Sequence, residues 1–191
     1  MKKTLLLLFF LCTAVLSSFA QIGNTPKLSA GFDLGVPVGV ASNAYEITGG
    51  VSLKLELPVI APLSITLTTG YTGYVTQGGF STGYYYSSDG SNSYTNGAVA
   101  CFIPLEAGAR LYVSRKFFIE GDLGASFNIN SNYTEFTNKR VALIYAPIAG
   151  ISIPLGSSKS SIDVSLRYES RVETGYNFSQ VAARAAFSFG L

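Results

Sequence analysis

Between residues 98 and 130, apolar side chains recur at every second position with almost no interruption. Val99, Cys101, Ile103, Leu105, Ala107, Ala109 and Leu111 form one series, and Phe102, Pro104, Glu106, Gly108 and Arg110 fall between them. After Ser114, Arg115 and Lys116 the pattern resumes: Phe117, Ile119, Gly121, Leu123, Ala125, Phe127 and Ile129 alternate with Phe118, Glu120, Asp122, Gly124, Ser126 and Asn128. Period two is the repeat of a β-strand, whose successive side chains point to opposite faces. The stretch therefore predicts a long hairpin about a short basic turn. One face is apolar; the other sets ionisable groups among residues too small to cover anything, which is how a membrane-spanning β-hairpin is patterned.

The same alternation predicts six further strands, over 27–38, 46–57, 63–75, 140–155, 161–173 and 179–191. With the hairpin they make eight, and the expected fold is all-β: an eight-stranded antiparallel up-and-down transmembrane β-barrel. Connections at 58–62, 114–116 and 156–160 are tight, and the prolines at both ends of the first should stop the sheet ladder. Those at 39–45, 77–97, 131–139 and 174–178 are wider on average. Short turns on one side and longer loops on the other fit an outer-membrane barrel whose ends both lie in the periplasm. Pro147 lies inside a predicted strand and calls for a bulge or a local break.

Alternation alone does not say which face is inside, because a soluble lipocalin-like barrel alternates in the same way. The polar face decides. Were it solvated, it would carry Lys, Glu and Arg in quantity; here it is mostly Gly, Ser, Thr and Ala with isolated charges. Asp33, Glu46, Lys54, Glu56, Glu106, Arg110, Glu120, Asp122, Asp163, Arg167, Glu169, Arg171 and Arg184 lie on it. Both signs occur, so pairing across a narrow interior is expected, with Asp33, Lys54, Glu56, Glu106, Arg110, Glu120, Asp122, Asp163, Arg167, Glu169 and Arg184 as the candidate network. Phe117, Tyr71, Tyr145 and Tyr168 are candidates for aromatic girdles at the membrane interfaces.

Composition agrees. Charged residues make up 13% of the chain, against about a quarter in ordinary soluble domains. Residues 1–20 read as a secretion signal, with Lys2 and Lys3 ahead of an apolar run and Ser18-Phe19-Ala20 before a mature start at Gln21. The barrel domain then spans 21–191. Without Lys2 and Lys3 the cations balance the 11 acids, so no basic surface for nucleic acid is present. The sequence has no histidine, which removes the commonest general base and the commonest metal ligand together. Glu120 and Asp122 share a face but read as partners for interior arginines rather than as metal ligands. No cofactor is expected.

Taken together, KLSAGFDLGVPVG from Lys27, IPLEAGARLYV from Ile103, FFIEGDLGASF from Phe117 and IDVSLRYES from Ile162 resemble the small outer-membrane β-barrel domain proteins of Bacteroidota, of OmpA/OmpX-like eight-stranded type. That resemblance covers essentially the whole mature chain and rests mainly on strand patterning. It implies a bacterial outer-membrane location, outer-membrane lipid as surroundings and, during biogenesis, contact with the barrel-assembly machinery. The ending SFGL resembles the terminal strand that machinery recognises, although Leu191 stands last where an aromatic residue is common and Phe189 lies two before it.

An interior barely wider than its own side chains excludes a wide pore. The expected role is non-enzymatic: a monomeric structural or surface-contact module acting through extracellular loops. Gln77 to Gly97 is rich in Gly, Ser, Asn and Tyr, and its Tyr84, Tyr85, Tyr86 and Tyr94 are rigid amphipathic groups suited to contact. The surface ligand is not specified. A narrow channel for ions or small apolar molecules is the alternative reading. A lipid-modifying enzyme is a remoter one, since a serine nucleophile would have no histidine beside it.

Overall fold

The computed structural model describes residues 25–76, 83–86, 92–95, 99–129, 139–156 and 159–191. The expected secretion signal at 1–20 and most of the 131–139 loop lie outside the described residues.

Alternation becomes a closed wall. The strands are β1 (Lys27–Gly39), β2 (Tyr45–Ile60), β3 (Leu63–Thr76), β4 (Gly83–Tyr86), β5 (Asn92–Thr95), β6 (Val99–Tyr112), β7 (Phe117–Asn128), β8 (Val141–Pro154), β9 (Ser160–Val172) and β10 (Asn177–Gly190). Eight of them pair antiparallel in the order β1-β10-β9-β8-β7-β6-β3-β2 and return to β1. First and last strands run in register from Lys27 opposite Gly190 to Gly39 opposite Phe178. Closure leaves the barrel no open edge, so its backbone groups find partners within the wall.

Burial shows which face is out. Phe32 is 75% exposed and Leu166 62%, whereas Arg110 is 1% exposed. The apolar series of every barrel strand faces outward and the mixed polar series fills the interior, as the pattern predicts. This inverts the arrangement of a soluble barrel and suits a wall surrounded by lipid.

Four local departures have physical causes. β2 does not end before Pro58 but continues to Ile60, with its register against β3 shifting between Pro58 and Ile60. An irregularity tolerates a proline that cannot donate to the ladder, so the tight turn shrinks to Ala61 and Pro62. A second shift, between Tyr45 and Ile47, reverses the phase at the start of β2. Glu46, expected on the inner face, is therefore exposed, and Tyr45 is buried in its place. Pro147 stays in register opposite Gly121 of β7. Towards β9, pairing lapses between Tyr145–Ser170 and Ile148–Arg167 and resumes in the same register: a local break rather than a bulge. Finally, the 77–97 segment contains a hairpin of its own, β4 paired with β5 and with no barrel strand. Only its backbone is described, so the side chains of Tyr84, Tyr85, Tyr86 and Tyr94 lie outside the described residues.

Candidate functional site

Strand register places the interior charges. Arg110 on β6 stands directly opposite Glu120 on β7, and Gly108 opposite Asp122. A Cβ at Gly108 would collide with the Asp122 carboxylate, so glycine leaves the space the acid occupies. Arg110 then reaches three strands at once. Its Nε donates to Glu120 at 2.6 Å, and its Nη1 donates to Glu56 at 3.0 Å and Asp163 at 2.9 Å. The guanidinium also lies 3.9 Å from the centroid of the Phe118 ring, a cation–π contact strengthened by the burial of both groups. Tyr112 donates its hydroxyl to Glu56 at 2.9 Å.

Lys54 on β2 crosses the barrel to pair with Glu120 and, at 3.4 Å, with Asp122. Thr66 donates to Asp122 at 3.2 Å. The Asp163 carboxylate accepts from Ser152 at 2.7 Å and from Ser161 at 3.2 Å. Nearer the opposite end, Arg167 Nη2 pairs with Glu106 at 2.9 Å and with Glu169 at 2.7 Å, and Gln180 donates to Glu169 at 2.9 Å. Arg184 Nε donates to Ser52 at 2.8 Å, and Ser52 donates to Asp33 at 2.7 Å. Every acid and base of the candidate network thus points inward, and several pairs, such as Lys54–Glu120, Arg110–Glu56 and Arg167–Glu106, join strands far apart in the chain. Buried carboxylates keep their charge only with such partners, because an unpaired one would carry its full desolvation cost.

Above these layers aromatic rings gather inside one mouth of the barrel. Tyr45, Tyr74, Phe102 and Phe178 form one buried cluster with Ala41 and Ala100. The Tyr74 ring lies 4.7 Å from that of Phe178 and, edge-on, 5.6 Å from that of Phe102, within the range of favourable aromatic pairs. Ala41 belongs to a 3-10 turn at Val40–Asn43, which folds the β1–β2 connection into the mouth. Arg171 braces this cap against the wall: it sits 4.8 Å over Phe102, pairs with Glu173 at 2.6 Å and donates to the Ser126 carbonyl at 2.6 Å. Just outside the strands, burial and the Glu173 carboxylate raise the Tyr176 phenol above its usual range.

Sequence reasoning missed this cap and Glu173. A signal was present: Tyr74, Phe102 and Phe178 are aromatic residues on the otherwise polar phase, all near the same ends of their strands. Tyr45 could not be found that way, because the register shift beside it hides its phase. On the outer face, Phe117 and Tyr71 are exposed, and Tyr145 and Tyr168 lie with ring centroids 6.4 Å apart. Tyr71 donates its hydroxyl to Cys101 Sγ at 2.7 Å.

No protein-family model matches the chain, and no curated protein matches it. Among solved structures, the chain is similar to the Yersinia pestis outer membrane protein Ail in a phospholipid nanodisc, at 14% identity, with 86% of this chain and 99% of that one covered and a TM-score of 0.49. It is also similar to a de novo designed transmembrane β-barrel, at 12% identity over 88% of this chain and 99% of that one, TM-score 0.46. A third is the outer membrane protein AlkL in lipid bilayers, at 14% identity over 88% of this chain and 92% of that one, TM-score 0.45. At such identities nothing about activity or partners passes from them to this chain.

Proposed function

We propose that this chain is an integral outer-membrane barrel that serves as a non-conducting scaffold, with residues 1–20 as its export signal and its extracellular connections as the surface that meets partners. The observation that carries this reading is the filled interior. Ion pairs led by Arg110 and Arg167 span the lumen, and the cap of Tyr45, Tyr74, Phe102 and Phe178 lies across one mouth. A lumen so occupied leaves the connections as the parts free to act. The longest carries the β4–β5 hairpin and the tyrosines suited to contact. Outer-membrane lipid surrounds the apolar wall, and the barrel-assembly machinery inserts it. No catalytic role is assigned.

Two measurements test the reading together. In planar bilayers the protein gives no discrete conductance; conductance that shifts in R110Q or R167Q would favour a narrow channel. On cells displaying the protein, excising residues 80–96 abolishes binding to host surfaces or glycans while the heat-shift on gels persists. Unchanged binding after excision would overturn the contact role.

A further inference from the structure

The wall closes where the first strand meets the last, and the middle of that seam is rich in glycine and alanine. Inside, Gly31 stands opposite Ala186 and Gly35 opposite Ala182; outside, Phe32 faces Ala185 and Leu34 faces Ala183. Residues this small hold register weakly, because each packs about as well against the next pair along. A one-residue slip would turn a whole strand to the wrong face, and the apolar pattern forbids it. A two-residue slip keeps every face and is not forbidden in that way. It would still change the stagger on which closure of the barrel depends.

In the centre of this stretch stands a charged pair. Asp33 of β1 lies directly opposite Arg184 of β10, its carboxylate 4.0 Å from the guanidinium Nε. Ser52 ties the two together: its hydroxyl accepts from Arg184 Nε at 2.8 Å and donates to Asp33 at 2.7 Å. Ser52 belongs to β2, where it stands opposite Gly31. The bond from Arg184 therefore passes over β1 to the next strand, and three neighbouring strands meet at one hydroxyl. Gly31 leaves room for the crossing, since a Cβ there would lie 3.1 Å from Arg184 Nε. Arg184 and Ser52 are both buried, and a buried guanidinium loses heavily when it loses its partners. A two-residue slip carries it about 6.6 Å along the seam, more than twice the length of its bond to Ser52. At the mouth the Tyr45 and Phe178 rings also meet across the seam, with centroids 5.4 Å apart. Apolar packing is non-directional, so it discriminates less between neighbouring rows than a donor matched to an acceptor.

We propose that Asp33, Ser52 and Arg184 are the lock that selects the register in which this barrel closes. They are positioning residues: each acts by fixing where β10 comes to rest against β1, and none is assigned to a ligand. The lock does not depend on what the connections bind.

The test uses the mature chain from Gln21 refolded into bilayers, with C101A to remove its one cysteine. Cysteine pairs across the seam then report register through disulfide formation under a mild oxidant. L34C with A183C reports the observed register, and L34C with V181C or with A185C reports a slip of two in either direction. With the lock intact the first pair cross-links far more than the others. In R184Q and in D33N the ratio of slipped to native cross-link should rise about tenfold, the equivalent of one charge-assisted hydrogen bond. D33R combined with R184D should bring the ratio back down, since the opposed charges are restored. S52A keeps both charges and should raise the ratio by less; it serves as the deciding variant if R184Q does not fold. F178L weakens the ring packing at the mouth and should lower the temperature of the heat-shift on gels while leaving the ratio unchanged. An unchanged ratio in folded R184Q, or in S52A where R184Q fails to fold, overturns the proposal. So does a slip in F178L as large as that in R184Q, because general packing would then set the register.

Discussion

Arg110 bears the heaviest demand of any single side chain, since carboxylates from β2, β7 and β9 all depend on it. Its removal leaves those acids buried and short of a partner. R110A should therefore cost about 3–5 kcal/mol, read as a lower urea midpoint for the refolded protein in detergent. Replacing charge and partners together by neutral groups of similar size, as in R110M with E56Q, E120Q and D163N, should recover most of that loss. Gly108 makes a converse case. G108A places a methyl group against the Asp122 carboxylate, Thr66 Oγ1 at 2.6 Å and the Gly121 carbonyl at 2.7 Å, an overpacking cost of about 1–3 kcal/mol in the same titration. Both residues were visible in the sequence as members of the inner series. Which acids they serve was not: Asp122 and Glu120 depend on the exact register of the hairpin, and Glu56 and Asp163 on strands far apart in the chain.

Within the strands, proline is the element-level irregularity. Around Pro147 the β8–β9 ladder lapses for two residues without losing register, so the break is local and closable. P147A restores a backbone donor there. Hydrogen exchange should slow at Ala146 and at Tyr168 and Glu169 on the facing strand, with a stability change below about 1 kcal/mol; no change in exchange would mean that some other feature opens the ladder. Pro104 belongs with a similar lapse, where β3–β6 pairing skips from Thr69–Leu105 to Thr72–Phe102 while Thr69 Oγ1 donates to the Pro104 carbonyl at 2.9 Å. Strand existence and facing were legible because a period of two is a local signal. Strand ends were less so: the shifts at Tyr45–Ile47 and Pro58–Ile60 insert or skip a residue, and a single such step turns every later side chain to the other face until it is corrected. Glu46 was misplaced for that reason. The β4–β5 hairpin was invisible for another, since GYYY and NSYT carry no apolar alternation.

For the molecule as a whole, the account stands on an inverted distribution: apolar residues outside, ion pairs and aromatic rings within. Scarce charge and a polar face made mostly of small residues pointed there from the sequence. The buried cluster of Tyr45, Tyr74, Phe102 and Phe178 at one mouth emerged only once the strand ends met. The most direct measurement places single fluorescent reporters at F32C, L123C and L166C, in a C101A background, in vesicles carrying either a lipid-borne or a water-soluble quencher. The account predicts strong quenching at all three positions by the lipid-borne quencher and almost none by the soluble one. Efficient quenching from water at these positions would contradict it, because the outer face would then be solvated and the barrel would not be embedded in a membrane.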